Sequence, residues 1–387
     1  MSWPMVELGS IANFINGFAF KPEHWEEDGK PIIRIQNLTD SSKSFNYSSM
    51  DIPEKYHVVK GDLLVSWSAT LDVFEWRRED ALLNQHIFKV EPNFAKVNKD
   101  YLRYALRDAI SAMLKFTRGS TMKHVNRGDF LGTKIPLPPL ETQKQIAEVL
   151  EKADQLRKDC QQMEQELNSL AQSVFIDMFG DPVTNPKGWD LAVLSDVVKN
   201  IQGGKSPKCD SRPAGANEWG VLKLSAVTGG FYKPNQNKAI LEGTLPNSDI
   251  ELKQGDLLFT RKNTYELVGA CAYVRETPDR LMLPDLIFRF HMPEKLKIYF
   301  WGLLNNTSFK LKVRALASGA AGSMPNIAKS KLNMLELPLP SEKAVLSYTN
   351  AIQEIWEQQI TLKQLLSSYQ EQFDVLMQKA FKGELDL

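Results

Sequence analysis

Ile146, Val149, Ala153, Leu156, Cys160, Met163, Leu167, Leu170 and Val174 form one apolar row within the stretch Leu140–Gly180, and the steps between them alternate between three and four. That alternation is a heptad seam, the mark of a helix that buries one narrow stripe. A second stretch, after Pro338 and Pro340, repeats it with Val345, Tyr348, Ile352, Ile355, Gln359, Leu362, Leu366, Tyr369, Phe373, Leu376 and Ala380. Thr142-Gln143-Lys144-Gln145 has capping-box spacing, Ser341 suits an N-cap, and Gly180 and Gly383 stand where a C′ glycine belongs. The pattern predicts two helices of about forty residues, each roughly 60 Å long at about 1.5 Å per residue. A seam this narrow predicts that the helices pair with each other, whereas packing of each on its own domain calls for a broader apolar face. Gln359, the lone polar seam residue, would fix register at a cost in stability.

Outward from the helices the sequence repeats itself. Trp3 and Leu8–Gly17 are echoed by Trp189 and Leu194–Gly203, 186 residues on. Lys60-Gly61-Asp62-Leu63-Leu64-Val65 matches Gln254-Gly255-Asp256-Leu257-Leu258-Phe259 at 194, and Ile135-Pro136-Leu137-Pro138 matches Leu337-Pro338-Leu339-Pro340 at 202. The offset grows in one direction, as insertions in the second copy would make it. A period near two hundred is far beyond solenoid repeats and marks a duplicated domain. Short β-branched and aromatic runs bounded by turn residues read as strands at Ile32–Leu38, Leu63–Trp67, Ile87–Val90, Val221–Leu224, Leu257–Phe259 and Ala270–Val274. Helices are predicted at Tyr101–Phe116 and Ile298–Ala317. The expected architecture is two α/β (α+β) domains at 1–139 and 181–340, with long helices at 140–180 and 341–387. Antiparallel pairing of those helices as a coiled coil would relate the copies by a pseudo-twofold axis.

Composition limits the functions open to such a chain. Its 387 residues are 43% hydrophobic and 10% aromatic, enough for large cores. The apolar runs are too short for a membrane span, the N-terminus lacks a signal-peptide pattern, and three widely spaced cysteines suit a reducing compartment. A soluble, cytoplasmic protein is expected. Lys plus Arg and Asp plus Glu are both 47, but the balance is uneven along the chain. Residues 1–139 carry 18 basic and 17 acidic groups and residues 181–340 carry 21 and 15, whereas residues 140–180 carry 4 and 8 and residues 341–387 carry 4 and 7. The domains therefore total +7 and the helices −7, an arrangement that would draw the domains to phosphates and hold the helices off them.

Catalytic signatures are missing from the sequence. Gly203-Gly204-Lys205-Ser206 lacks the earlier glycine of a phosphate loop, no Gly-x-Ser-x-Gly elbow occurs, and the five histidines form no metal pair with each other or with cysteines. His86 is replaced by Leu286 in the second copy, which favours a packed or hydrogen-bonded histidine over a catalytic one. The glycine–aspartate pairs at 61–62 and 255–256 read as turn chemistry.

The matched loops are more informative. After one apolar strand come Ser66, Trp67, Ser68 and Thr70; at the equivalent place in the second copy come Arg261, Lys262, Asn263 and Thr264. Arginine and asparagine make bidentate contacts with guanine and adenine edges. Arg77, Arg78, Arg118, Lys123, Lys205, Lys208, Arg212, Arg314 and Lys329 are candidates to hold phosphates.

Residues Ile15–Phe20, Pro31–Leu38, Gly61–Ala69, Leu83–Val90, Ile135–Gln143, Phe179–Pro182, Gly255–Gly269 and Lys379–Leu385, taken in order, resemble the type I restriction–modification specificity subunits over nearly the whole chain. The resemblance implies a non-catalytic subunit whose two target recognition domains each read one half of a bipartite, asymmetric DNA sequence, separated by the helix pair. It implies two methyltransferase subunits that bind S-adenosylmethionine, and restriction subunits that use ATP and Mg. No cofactor is expected in this chain. Ser341-Glu342-Lys343-Ala344 departs from the Leu-Glu-x-Gln that opens the first helix, so partner contacts there need not be equivalent. Two other readings stay open: a coiled-coil adaptor whose domains bind proteins or glycans, and an inactive or regulatory specificity subunit.

Overall fold

The computed structural model describes residues 3–68, 70–116, 127–319 and 324–387. The long helices form as expected, at Leu140–Phe179 and Glu342–Lys382. The chain divides into two compact units, Met1–Gln161 with Gln364–Leu387, and Gln162–Lys363. Each unit thus contains part of both helices.

Both units are mixed α/β and share one topology. In the first, Ala12–Asn16, Ile87–Pro92, Leu63–Ser66 and Asp72–Glu75 form an antiparallel sheet in that spatial order. Asn200–Gly203, Ile287–His291, Leu257–Thr260 and Cys271–Tyr273 repeat it in the second. A smaller sheet in each unit carries one parallel pair, Lys30–Ile33 with Ala81–Leu83 and Gly220–Leu222 with Leu281–Met282. The pairing also corrects the alignment of the copies. Phe14 sits opposite Val90 and Ile201 opposite Phe290, so the offset at these strands is 187 rather than 186. The turn before them absorbs the difference, a 3-10 turn at Leu8–Ser10 against an α turn at Leu194–Val197.

Other expectations shift locally. The strand predicted over Ile32–Leu38 ends at Ile33 and gives way to a short helix, Ile35–Thr39. The helix predicted over Ile298–Ala317 is two, Glu294–Asn305 and Thr307–Arg314. Asn306 leaves the helical region at ψ 138° and its side chain caps the second helix by accepting from the Phe309 amide.

Repeated polar contacts show that the glycine–aspartate turns are structural. Gly61 and Gly255 have φ of +95° and +87°, where a side chain would be strained. Asp62 accepts from the Val59 amide and pairs with Lys89 at 3.0 Å; Asp256 accepts from the Lys253 amide and pairs with Arg289 at 2.9 Å. The Tyr101 hydroxyl donates to the Pro136 carbonyl at 2.6 Å, and the Tyr299 hydroxyl to the Pro338 carbonyl at 2.7 Å. Each tyrosine ties a domain helix to the segment that enters a long helix.

The long helices do pair antiparallel, but not along the whole predicted seam. In the second helix the expectation matches: Ile352, Ile355, Gln359, Leu362 and Phe373 are buried, and Leu366 and Tyr369 half-buried. In the first helix Ile146 and Cys160 are buried and Val149, Ala153, Leu167 and Val174 are half-buried, yet Leu156, Met163 and Leu170 are about half exposed. A second buried row lies one residue on, turned by about 100°. In the first unit it runs through Ala147, Leu150 and Asp154, and in the second through Ala171, Phe175 and Phe179. The cause is that the helix ends belong to the domain cores, Ile146 and Leu150 in one and Phe175 and Phe179 in the other. Those anchors fix the rotation, and polar residues then face the partner helix. Arg157 donates to Gln370 at 2.8 Å in the first unit; in the second, Gln359 donates to Asn168 at 3.0 Å and Lys363 pairs with Glu164 at 4.0 Å.

The Gln359–Asn168 hydrogen bond reverses the effect that a bare seam glutamine would have on stability. Gln359→Leu should lower the melting temperature, because it strands the Asn168 carbonyl at a cost of about 1–3 kcal/mol. The double change Gln359→Leu with Asn168→Leu should recover most of that loss, as thermal unfolding of the parent and the two variants will show.

Candidate nucleic-acid interface

The loops singled out by sequence do occupy one structural position. The Trp67 amide bonds to the His86 carbonyl at 3.4 Å and the Arg261 amide to the Leu286 carbonyl at 3.0 Å, so the two residues are true counterparts. Beneath each lies a phenylalanine of the neighbouring strand. The Trp67 ring stacks on Phe88 at 5.8 Å between centroids, and the Arg261 guanidinium lies 5.2 Å from the centre of the Phe288 ring. A further cation approaches each ring: Arg127 at 6.0 Å from Phe88, and Lys329 at 5.5 Å from Phe288. Each unit therefore presents an aromatic floor with a matched cation and one residue that differs, tryptophan in the first and arginine in the second. Such stacking holds a guanidinium in a defined plane and reduces what it loses on meeting a base edge.

Arg127 was not among the candidates from sequence. It also donates to the Phe14 carbonyl at 3.2 Å. The signal was present, since the 202-residue offset of the following Ile135–Pro138 segment carries Arg127 onto Lys329. The phenylalanine floor and Asn16, whose side-chain oxygen accepts from the Trp67 indole at 3.3 Å, were also overlooked.

Several candidates have other roles. Ser66 is fully buried, accepts from the Asp72 amide at 3.2 Å and donates to the Thr70 carbonyl, so it closes the base of its loop. Thr260 does the same in the second unit, accepting from the Ala270 amide and donating to the Leu267 carbonyl. Ser68 is half-buried and Thr70 exposed beside Trp67. His86 is exposed rather than packed, its ring 5.6 Å from that of Trp67. Arg77 and Arg78 lie past the far end of the strand Asp72–Glu75, where Arg77 pairs with Glu75 and Arg78 covers Phe45. They do not join the Trp67 loop. Arg118 and Lys123 lie outside the described residues.

In the second unit Lys262 is half-buried and bridges to Asn326 through its backbone, Thr264 is exposed, and Asn263 is buried with its oxygen accepting from the Thr264 amide. Arg314 donates to the Glu266 carbonyl and so braces the same loop. Lys205 and Lys208 are exposed, Lys205 at the sheet edge next to the Leu283 carbonyl. Arg212 is clamped by Glu218 at 2.5 Å and Asp210 at 3.3 Å, and its hydrogen bond holds the Glu218 carboxyl down to about 2. That charge is already compensated, which argues against Arg212 as a phosphate contact.

One local feature sets the second loop apart. Arg261 Nε, Asn263 Nδ2, Arg314 Nε and Asn326 Oδ1 are all buried and find no hydrogen-bond partner among the described residues. Buried polar groups are paired in the great majority of folded proteins, so four such groups around one loop leave it open to a further polar partner. Among the described residues no group of His, Cys, Asp and Glu is arranged to hold a metal, and no helix is long and apolar enough to cross a membrane.

The two α/β units thus offer cationic, aromatic loops at matched positions. A sequence model of the type I restriction modification DNA specificity domain matches residues 2–169. The EcoBI specificity subunit of Escherichia coli is 25% identical across 99% of this chain and 86% of its own length. The MjaVIII specificity subunit of Methanocaldococcus jannaschii is 25% identical across 92% of this chain and 87% of its own. An S subunit of a type I system from M. genitalium superposes over 100% of this chain and 96% of that one with a TM-score of 0.56 at 13% identity. A chain from a structure of type I system assembly and conformational transition covers 99% and 98% at a TM-score of 0.55 and 17% identity. Residues 2–169 thus match the type I restriction modification DNA specificity domain, and nearly the whole chain is similar to type I restriction enzyme specificity subunits.

The matched cations give a direct expectation. Arg127→Gln and Lys329→Gln should each reduce the slope of log affinity against log salt by about one, with little change in sequence preference. Titrations of specific and scrambled duplexes at several salt concentrations measure both.

Proposed function

We propose that each unit reads one half of a bipartite, asymmetric DNA target through the loop above its phenylalanine floor, and that the paired helices set the spacer between the halves. The carrying observation is the substitution of Trp67 by Arg261 on otherwise matched platforms. Two different side chains at one position of a duplicated scaffold supply two different half-site preferences. Arg261 suits the O6 and N7 acceptors of guanine in the major groove. Trp67 offers an apolar face for a thymine methyl or a base step, with Asn16 holding its indole nitrogen. The recognition domains are assigned to residues 1–139 and 181–340, whose net +7 favours phosphate contact.

The same reading extends to the assembly. Two methyltransferase subunits carrying S-adenosylmethionine would dock on this chain, and ATP- and Mg-dependent restriction subunits would complete a cytoplasmic complex. Met163 and Leu170, exposed one heptad apart on the first helix, support a docking surface there, because repeated exposed apolar residues mark interaction sites.

Arg261→Ala should relax specificity at one position of one half-site and cost about 1–3 kcal/mol on the cognate sequence. Selection of bound duplexes from a random library separates this from an even loss on all sequences, which would assign Arg261 to the backbone. Adding seven residues to both long helices should lengthen the selected spacer by about 3 base pairs, from about 1.5 Å per residue and 3.4 Å per base pair; an unchanged spacer would count against the ruler.

A further inference from the structure

A cavity of about 410 Å³ in the second unit shares no residue with the Phe288 platform. Ala171 and Phe175 of the first long helix form one wall, and Phe231, Trp301 and Leu311 form the others. Its size lies in the range of small-molecule sites.

Among the described residues, three polar groups on this cavity lack partners. Tyr348 is fully buried, yet its hydroxyl makes no hydrogen bond. Asn305 donates from Nδ2 to the carbonyls of Cys271 and Trp301, at 2.8 and 3.0 Å, which leaves Oδ1 buried and unpartnered. Lys310 is half-buried and makes no ion pair among the described residues; burial and the nearby Arg314 pull its pKa below the usual lysine value. Asp181, on the rim, does not compensate it. That carboxylate is already engaged by the Ser308 hydroxyl at 2.6 Å and the amides of Val183 and Thr184 at 2.8 and 3.1 Å. Buried polar groups and a partly desolvated cation are costly unless something pairs with them.

The first unit shows what a closed version looks like. Tyr104 follows Tyr101 by three residues as Gly302 follows Tyr299, and its hydroxyl bonds to Glu151 at 2.8 Å. Arg107 and Arg157, which line the corresponding cleft, both pair with Asp154, at 3.6 and 2.5 Å. Gly302 instead admits the Tyr348 hydroxyl, which lies 2.2 Å from where a Cβ would stand. Among the described residues, this helix offers an apolar cleft with an uncompensated cation in the second unit and not in the first.

We propose that this cavity binds a small carboxylate with an aromatic or branched apolar body. The carboxylate meets the Lys310 ammonium, the body lies against Phe175, Phe231 and Trp301, and a polar edge bridges Tyr348 and Asn305. The inference is independent of which bases the loops read.

The test uses the full chain, with 1-anilinonaphthalene-8-sulfonate, an aromatic anion that fluoresces in apolar sites, as the probe and indole-3-acetate as its competitor. One probe site per chain is expected, emptied by indole-3-acetate. Lys310→Gln should weaken both ligands about tenfold or more, the loss of a charge-assisted contact, while Lys310→Arg keeps affinity within about threefold. Ala171→Leu should weaken both by filling the wall. The unliganded melting temperature of Lys310→Gln should stay at or above that of the parent, since an unpaired cation is removed. Two probe sites per chain, no displacement by indole-3-acetate, unchanged affinities in Lys310→Gln, or a melting temperature lowered by several degrees in that variant would each overturn the proposal.

Discussion

The packing of each long helix into a domain core is the constraint on which the rest of the structure depends. In the first unit Phe381, from the second long helix, lies 5.7 Å from Tyr101; in the second, Phe175, from the first long helix, stacks on Tyr299 at 5.8 Å. Each tyrosine is held in turn by its hydroxyl on a proline carbonyl. Both cores are thus completed by a residue from a helix that enters from elsewhere in the sequence. The anchors set the rotation of each helix, and that rotation decides which residues face the partner helix and which face water. A dry leucine-type seam is replaced by polar pairs such as Arg157–Gln370 and Asn168–Gln359. Polar contacts of this kind contribute little net stability but penalise the wrong register, so the helices are specified more by their domains than by their shared interface.

On this frame the matched loops vary with little structural consequence. Floor, strand register and loop closure are alike in the two units, through Phe88 and Phe288, the matched backbone pairs, and Ser66 and Thr260. What differs is the side chain laid over the floor. Tryptophan there is satisfied by stacking and by Asn16, whereas arginine arrives with neighbours whose polar atoms lack partners. Among the described residues the second loop therefore has the larger number of unpaired polar atoms, and its segment of the chain carries the larger net positive charge.

Much of this was legible in the sequence. The duplication, both long helices and the equivalence of Trp67 with Arg261 follow from spacing and self-similarity, signals that survive insertions. Features that depend on neighbours in space were not. Leu156, Met163 and Leu170 satisfy the heptad rule, but the rule cannot know that core anchors at the helix ends turn that row outward. Arg77 and Arg78 looked close to the loop because they are ten residues on, yet a strand of an antiparallel pair carries them to its far end. Arg212 looked available until Glu218 and Asp210 were seen to hold it. Arg127 was recoverable, since the repeat offset carries it onto Lys329.

The proposed function assigns a different half-site to each unit, through Trp67 in the first and Arg261 in the second. Single-molecule sequencing of methylated bases in cells that express this subunit with its methyltransferase tests that most directly. The expected pattern is one interrupted motif whose two halves differ and whose intervening bases vary freely. A contiguous motif, a motif with two identical halves, or methylation without sequence preference would contradict it.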